Sequence, residues 1–222
     1  MTSKITFADI KNSQEVRTYI KQADASLEAL GYTEHSFAHA TKCSEIAGSI
    51  LKNLGYTSHD IELVRIAAFM HDIGNVVNRV DHAQSGAIMA FRILDKMGMN
   101  PKDTAAVITA IGNHDEATAY PVNAIAAALI LADKTDVRRS RVRNEATIYT
   151  DIHDRVNYAV EDAHIEMGKE EKTMTLHLTI DTDICPVMEY FEIFLERMIL
   201  CRKAAAFFDF KFKLVINGTA LL

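Results

Sequence analysis

Six side chains able to hold a divalent cation occur in the order His39, His71, Asp72, His82, His114 and Asp133, within less than half of the 222-residue chain. Four imidazoles and two carboxylates, with no thiolate among them, suit borderline and harder ions such as Fe, Mn, Co, Zn or Mg. They do not suit Cu(I) or an iron–sulfur cluster. Six donors also exceed what one ion takes while leaving positions open for water and substrate, so the order H…HD…H…H…D reads as a two-metal site. Each donor falls on the apolar stripe of its own expected helix, where an unpaired ionisable group would be costly.

The stripes define the elements that must position these groups. His39 shares a face with Cys43, Ile46, Ala47, Ile50 and Leu54 at three-and-four spacing. His71 continues Ile61, Val64, Ala67 and Ala68, with Asp72 beside it and Gly74 expected to stop that helix in a left-handed cap. Asp81 and Gln84 suggest a capping box opening the helix led by His82, which carries Gly86, Met89, Ala90 and Ile93. His114 extends Thr104, Val107 and Ile111 on a helix opened by Asn100 and Pro101. Asp133 follows Val122, Ala126 and Leu129. Five consecutive helices thus each send a ligand-type side chain inward, as metal sites in helical bundles are built. Another His-Asp dipeptide, His153-Asp154, has no partners downstream in the required order and is left out of the site.

These residues resemble the HD-domain superfamily of metal-dependent phosphohydrolases. The resemblance rests on HATKCSEIA from His39, FMHDIGN around His71, DHAQSGA around His82, GNHDE around His114 and LILADKTD around Asp133, spanning roughly residues 35 to 143. It is greatest to the two-metal branches, which include cyclic-dinucleotide phosphodiesterases and di-iron oxygenases, because His82 and His114 are both present. The resemblance implies that His39, His71 and Asp133 hold one ion, that His82 and His114 hold the other, and that Asp72 bridges them. Two departures bear on substrate. Asn75 stands where many relatives have a substrate-binding lysine, and Tyr120-Pro121 follows His114 without the glycines of the cyclic-dinucleotide branch.

Composition frames this core. The chain is 49% hydrophobic with a net charge of −6, enough to bury a full core and not the balance of a nucleic-acid binder. No charged N-region followed by an apolar run opens the sequence, and no stretch approaches 18 uninterrupted apolar residues, so the expectation is a cytoplasmic protein without a membrane partner. Cys43, Cys185 and Cys201 are odd in number and lie in or beside apolar segments, which reads as reduced core thiols.

The expected fold is mainly α: an HD-type helical bundle over residues 1–168, followed by a small α+β extension over 169–222. In the first part, Asn12 and Glu15 suggest a capping box for a helix running to about Leu30, and a further helix is expected from about Asp151 to Ile165. In the second, Met174, Leu176, Leu178 and Ile180 alternate with polar residues, as do Phe208, Phe210, Phe212 and Leu214, giving two strands around a helix from Pro186 to about Phe207. Two strands alone expose hydrogen-bonding edges, which suggests a homodimer or pairing with Ile5 to Ile10.

The charge of such a site points to its substrate. Two divalent ions, two aspartates and a bridging hydroxide leave about one net positive charge, which fits a phosphate mono- or diester, including a nucleotide. Asp72, His114 and Asp115 are the candidate catalytic residues. His35, Arg79, Lys134, Arg138, Arg139 and Arg141 are the candidate substrate contacts, with Glu34 beside His35 and arginine forks well shaped for phosphate. Fe or Mn is the leading choice of metal. A di-iron oxygenase using the same six donors, and a non-catalytic nucleotide or metal sensor, remain as alternatives.

Overall fold

In the computed structural model of the protein, which describes residues 5–221, the chain opens on a capping box in which Thr6 and Asp9 bond reciprocally at the head of α1 (Phe7–Asn12). Ser13 then interrupts the helix in an extended conformation and caps α2 (Gln14–Ala29) through Val16 N–H. The box expected from Asn12 and Glu15 is therefore replaced by two successive caps. Four further caps and turns deliver the ligand-bearing helices. Ser36 opens α3 (Phe37–Asn53), Thr57 and Asp60 form a capping box at α4 (Ser58–Met70), a 3₁₀ turn follows at Ile73–Val76, and α5 spans His82–Lys96. Asn100 caps α6 (Pro101–Gly112) with proline in its first turn, as its sequence implies, and α7 runs over Ala124–Lys134.

Two local expectations differ here. Asp81 sits before α5 in the left-handed region, φ 56°, and its side chain makes no cap bond, so there is no Asp81–Gln84 box. Gln84 instead donates to Thr118 Oγ1 at 2.9 Å. Gly74 is not a left-handed cap either, since its φ is not positive. It is required for close approach: a Cβ there would lie 2.0 Å from the His82 carbonyl oxygen and 2.5 Å from Gly86 N. The chain after His71-Asp72 is thereby pressed against the first turn of α5, which brings His82 to the HD pair. Beneath these elements Ile10, Leu27, Leu51, Ile66, Phe69, Ile93, Leu94 and Ile111 are fully buried, each contributing on the order of 1.5–3 kcal/mol by leaving water.

The chain forms two compact units, Met1–Asp133 and Lys134–Leu222. The second unit thus takes in residues that the sequence reading attaches to the helical part. It begins with 3₁₀ turns at Arg139–Arg141 and Glu145–Tyr149, then α8 (Ile152–Ala159), capped by Asp151. The helix expected to reach Ile165 ends there, and Val160–Gly168 is a strand, β1. β1 pairs antiparallel with β2 (Thr173–Ile180), α9 (Val187–Phe207) returns the chain to β3 (Lys211–Ile216) parallel to β2, and β4 (Thr219–Ala220) closes the order β1-β2-β3-β4. β3 starts later than expected, because Phe208 ends α9 and Asp209 turns through φ 61°, which leaves Phe208 and Phe210 outside the strand. The open edges of β2 and β3 are covered within the chain by β1 and β4, while Ile5 to Ile10 lies at and in α1 and offers no strand. The edge strands of the sheet are therefore β1 and β4 rather than β2 and β3. Among the described residues, no helix is long and apolar enough to cross a membrane.

Candidate metal centre

The six donors meet in the first unit. His39 comes from the first turn of α3, His71 and Asp72 from the end of α4, His82 from the start of α5, His114 from just beyond α6 and Asp133 from the end of α7. Four atoms form one group: His39 Nε2 lies 3.3 Å from His71 Nε2, 3.3 Å from Asp133 Oδ1 and 3.6 Å from Asp72 Oδ2, and His71 Nε2 lies 3.1 Å from Asp72 Oδ2. Three form another: Asp72 Oδ1 is 3.5 Å from His82 Nε2 and 3.9 Å from His114 Nε2, and those two nitrogens are 3.2 Å apart. Ligand atoms held about 2.0–2.2 Å from one ion at tetrahedral or octahedral angles stand roughly 3–3.6 Å from each other, the spacing seen here.

Orientation of the rings is set by the backbone. His71 Nδ1 donates to the Ala68 carbonyl at 2.7 Å, His114 Nδ1 to Ile111 at 2.6 Å and His82 Nδ1 to Arg79 at 3.0 Å, in each case three residues upstream. Such bonds place the proton on Nδ1 and leave Nε2 as the donor to an ion. Asp72 Oδ2 is buried without a hydrogen-bond partner, a costly arrangement for a carboxylate oxygen unless a cation takes that place. The residues present therefore fit divalent metal ions.

The electrostatics agree. Burial works against a charged His71, but Asp72 and Asp133 outweigh it and raise its pKa to about 10 in the absence of metal. Burial likewise works to raise the Asp72 carboxyl, and His71, His35 and His82 hold it well below the usual carboxylate range. The His71 pKa lies above its unfolded value, so this proton stabilises the metal-free fold fully below pH 6.5 and the contribution is lost as pH climbs toward about 10. Asp72 acts in the opposite sense, its contribution being present above pH 3.8 and lost on acidification. Chelator-treated protein should accordingly melt at a lower temperature at pH 10 than near neutrality, and loading a divalent ion at pH 7 should release protons. Calorimetry in buffers of differing ionisation enthalpy measures that release, and its absence would mean His71 enters the site already neutral.

The remaining candidate residues divide into two groups. Arg79 stacks over Tyr32 at 5.5 Å, with Nη1 3.3 Å from His82 Nε2, and Asp115 Oδ1 lies 3.8 Å from the same nitrogen. The His35 ring is 5.4 Å from that of His39, its Nδ1 bonded to the Thr33 carbonyl. These three stand beside the donors. The basic segment is engaged inside the second unit: Arg138 Nε pairs with buried Asp136 at 3.1 Å, Arg141 is buried and donates to the Asp136 carbonyl at 2.9 Å, and Arg139 donates to the Tyr158 carbonyl and stacks on its ring. Lys134 is buried at the end of α7.

Two side chains at the site carry roles that the sequence reading did not assign. Asn75 Nδ2 donates to the Asp72 carbonyl at 2.9 Å and to Oδ1 at 3.1 Å, so this residue fixes the Asp72 carboxylate. Cys43 Sγ packs 3.6 Å from His39 Nδ1, one helical turn along, a spacing visible in the sequence but indistinguishable there from core.

Residues 32–138 match the model of the HD domain, and all six donors fall within that match. Over these residues, just under half of the chain, the protein is similar to the HD domain. A relative of this chain, the uncharacterized protein MJ1020 of Methanocaldococcus jannaschii, is 27% identical over 192 residues, covering 76% of this chain and 73% of its own. The crystal structure of a predicted HD superfamily hydrolase from an uncultured Thermotogales bacterium is similar at 26% identity and a TM-score of 0.45, covering 56% of this chain and 68% of that one.

Proposed function

We propose that this protein is a metal-dependent phosphohydrolase that cleaves a small phosphate mono- or diester, including nucleotides, with two divalent ions. The observation that carries the reading is the disposition of Asp72, whose Oδ2 faces His39 and His71 while Oδ1 faces His82 and His114. When bound, the ions supply an acidified water and offset charge on the phosphoryl oxygens. In this reading His39, His71 and Asp133 hold one ion, His82 and His114 the other, and Asp72 spans both, held in place by Asn75. Asp115, beside His82, is positioned to hold or deliver a proton at the leaving oxygen. Arg79 adds donors for the substrate's remaining anionic oxygens, and His35 would add an Nε2–H when doubly protonated.

The test has two parts. Protein purified without chelator should carry close to two transition-metal ions per chain, Fe or Mn foremost, and a ratio that stays at one under metal-replete conditions would defeat the two-ion claim. A panel of phosphate mono- and diesters should then yield chelator-sensitive phosphate release or ester cleavage. Oxygen consumption dependent on reduced iron, without hydrolysis of any ester, would move the site to oxygenase chemistry.

A further inference from the structure

On the second unit's sheet, residues Asp162, His164 and Glu166 share one face of β1 by the two-residue period of a strand, and the ladder sets His177 of β2 directly opposite His164. The two imidazoles stack with centroids 5.1 Å apart and planes 12° apart. Their side chains are 59% and 30% exposed, so this is an outer face. Each ring lies beside a carboxylate: His164 Nδ1 hydrogen-bonds Asp162 Oδ2 at 2.6 Å, whereas His177 Nε2, an enclosed atom without a hydrogen bond, stands 2.9 Å from Glu166 Oε2 as an ion-pair contact.

We propose that His164 and His177 form a second metal site, separate from the HD centre, that takes a single borderline divalent ion of the Cu(II), Ni(II) or Zn(II) class. Three features of the pair support this. The His164 imidazole has one nitrogen hydrogen-bonded to a carboxylate, which orients the ring as around most metal-bound histidines. That leaves Nε2 of His164 as one donor, and Nδ1 of His177, the nitrogen away from Glu166, as the other. Two protonated rings stacked this closely repel each other, whereas one shared ion gives both lone pairs a common partner. Two nitrogens completed by water or carboxylate oxygen suit Ni(II) and Cu(II) geometry, and the roughly 3 Å nitrogen separation that a common ion requires is reached by turning the exposed His164 ring out of the stack. The bound ion would tie β1 to β2 across the outer face.

The experiment is titration of Ni(II) into the full-length protein, with stoichiometry and affinity read by calorimetry and circular dichroism confirming the fold. Wild type should bind one ion more per chain than His164→Ala, His177→Ala or the double variant, all of which keep the ions of the HD centre. Asp162→Asn should retain that extra ion with affinity lower by about tenfold or more, because the imidazole loses its orienting partner. Equal stoichiometry in wild type and the double variant would overturn the proposal and leave the four residues as surface ion pairs. Failure of the phosphohydrolase reading would not affect this result, since neither histidine belongs to that centre.

Discussion

Asp72→Ala is expected to leave purification with most of its metal missing and with ester hydrolysis near background, while remaining folded. The reason is geometric. Both carboxylate oxygens face imidazole pairs, so under the proposed two-ion reading one substitution would withdraw a donor from each group and remove the negative charge set against the cations. Loss of a metal-orienting group alone costs about 10–100-fold in affinity or activity, and loss of a donor shared by two ions should exceed that. Metal analysis alongside specific activity provides the check. A variant that retained both ions and full activity would show that Asp72 does not span the sites. Asn75→Ala serves as the graded companion, since it frees the carboxylate without deleting it and should lower activity less than Asp72→Ala does.

Gly74→Ala should be among the most damaging single-methyl changes in the first unit. The added Cβ would fall 2.0 Å from the His82 carbonyl oxygen, which belongs to the backbone and cannot rotate aside. Relief requires the turn after Asp72 to separate from α5, so about 3 kcal/mol or more of stability should be lost, at the upper end of overpacking costs. Metal content should fall with it, because the same separation parts Asp72 from His82. Gly112→Ala is the contrast, its Cβ meeting only Ala87 Cβ at an ordinary 3.6 Å. A change near the end of α6 that fits should alter stability by less than about 1 kcal/mol in either direction. Denaturant midpoints for the two variants decide the matter, and equal midpoints would mean the approach at Gly74 relaxes cheaply.

The donor set was legible because ionisable residues on apolar stripes are conspicuous, and the order of His39, His71, Asp72, His82, His114 and Asp133 survives any uncertainty in helix ends. Helix α6 was legible for a local reason, a cap and a proline placed together at Asn100-Pro101. β1 was harder: Val156, Ala159, Val160 and Ala163 satisfy helical spacing, while Ala163, Ile165 and Met167 alternate with Asp162, His164 and Glu166 at strand spacing, and the pairing with β2 decides between them. Gly74 has two uses for a missing side chain, a left-handed turn or a close approach, and only the position of α5 distinguishes them. The arginines after Asp133 pose the same difficulty. A basic run beside a metal ligand suggests phosphate, yet Asp136 two residues upstream of Arg138 already engages it, and sequence alone does not rank one anion over another.

The main-chain carbonyls of Ala68, Arg79 and Ile111 that receive the Nδ1 protons have a bearing on how such a centre changes over time. A side-chain partner can be erased by one codon change, but a carbonyl three residues back persists whatever residue supplies it, provided the local turn is kept. Tautomer choice is thereby insulated from substitution, and the rim around Tyr32, Arg79 and Asp115 can drift toward new substrates while the rings that face the ions stay correctly protonated.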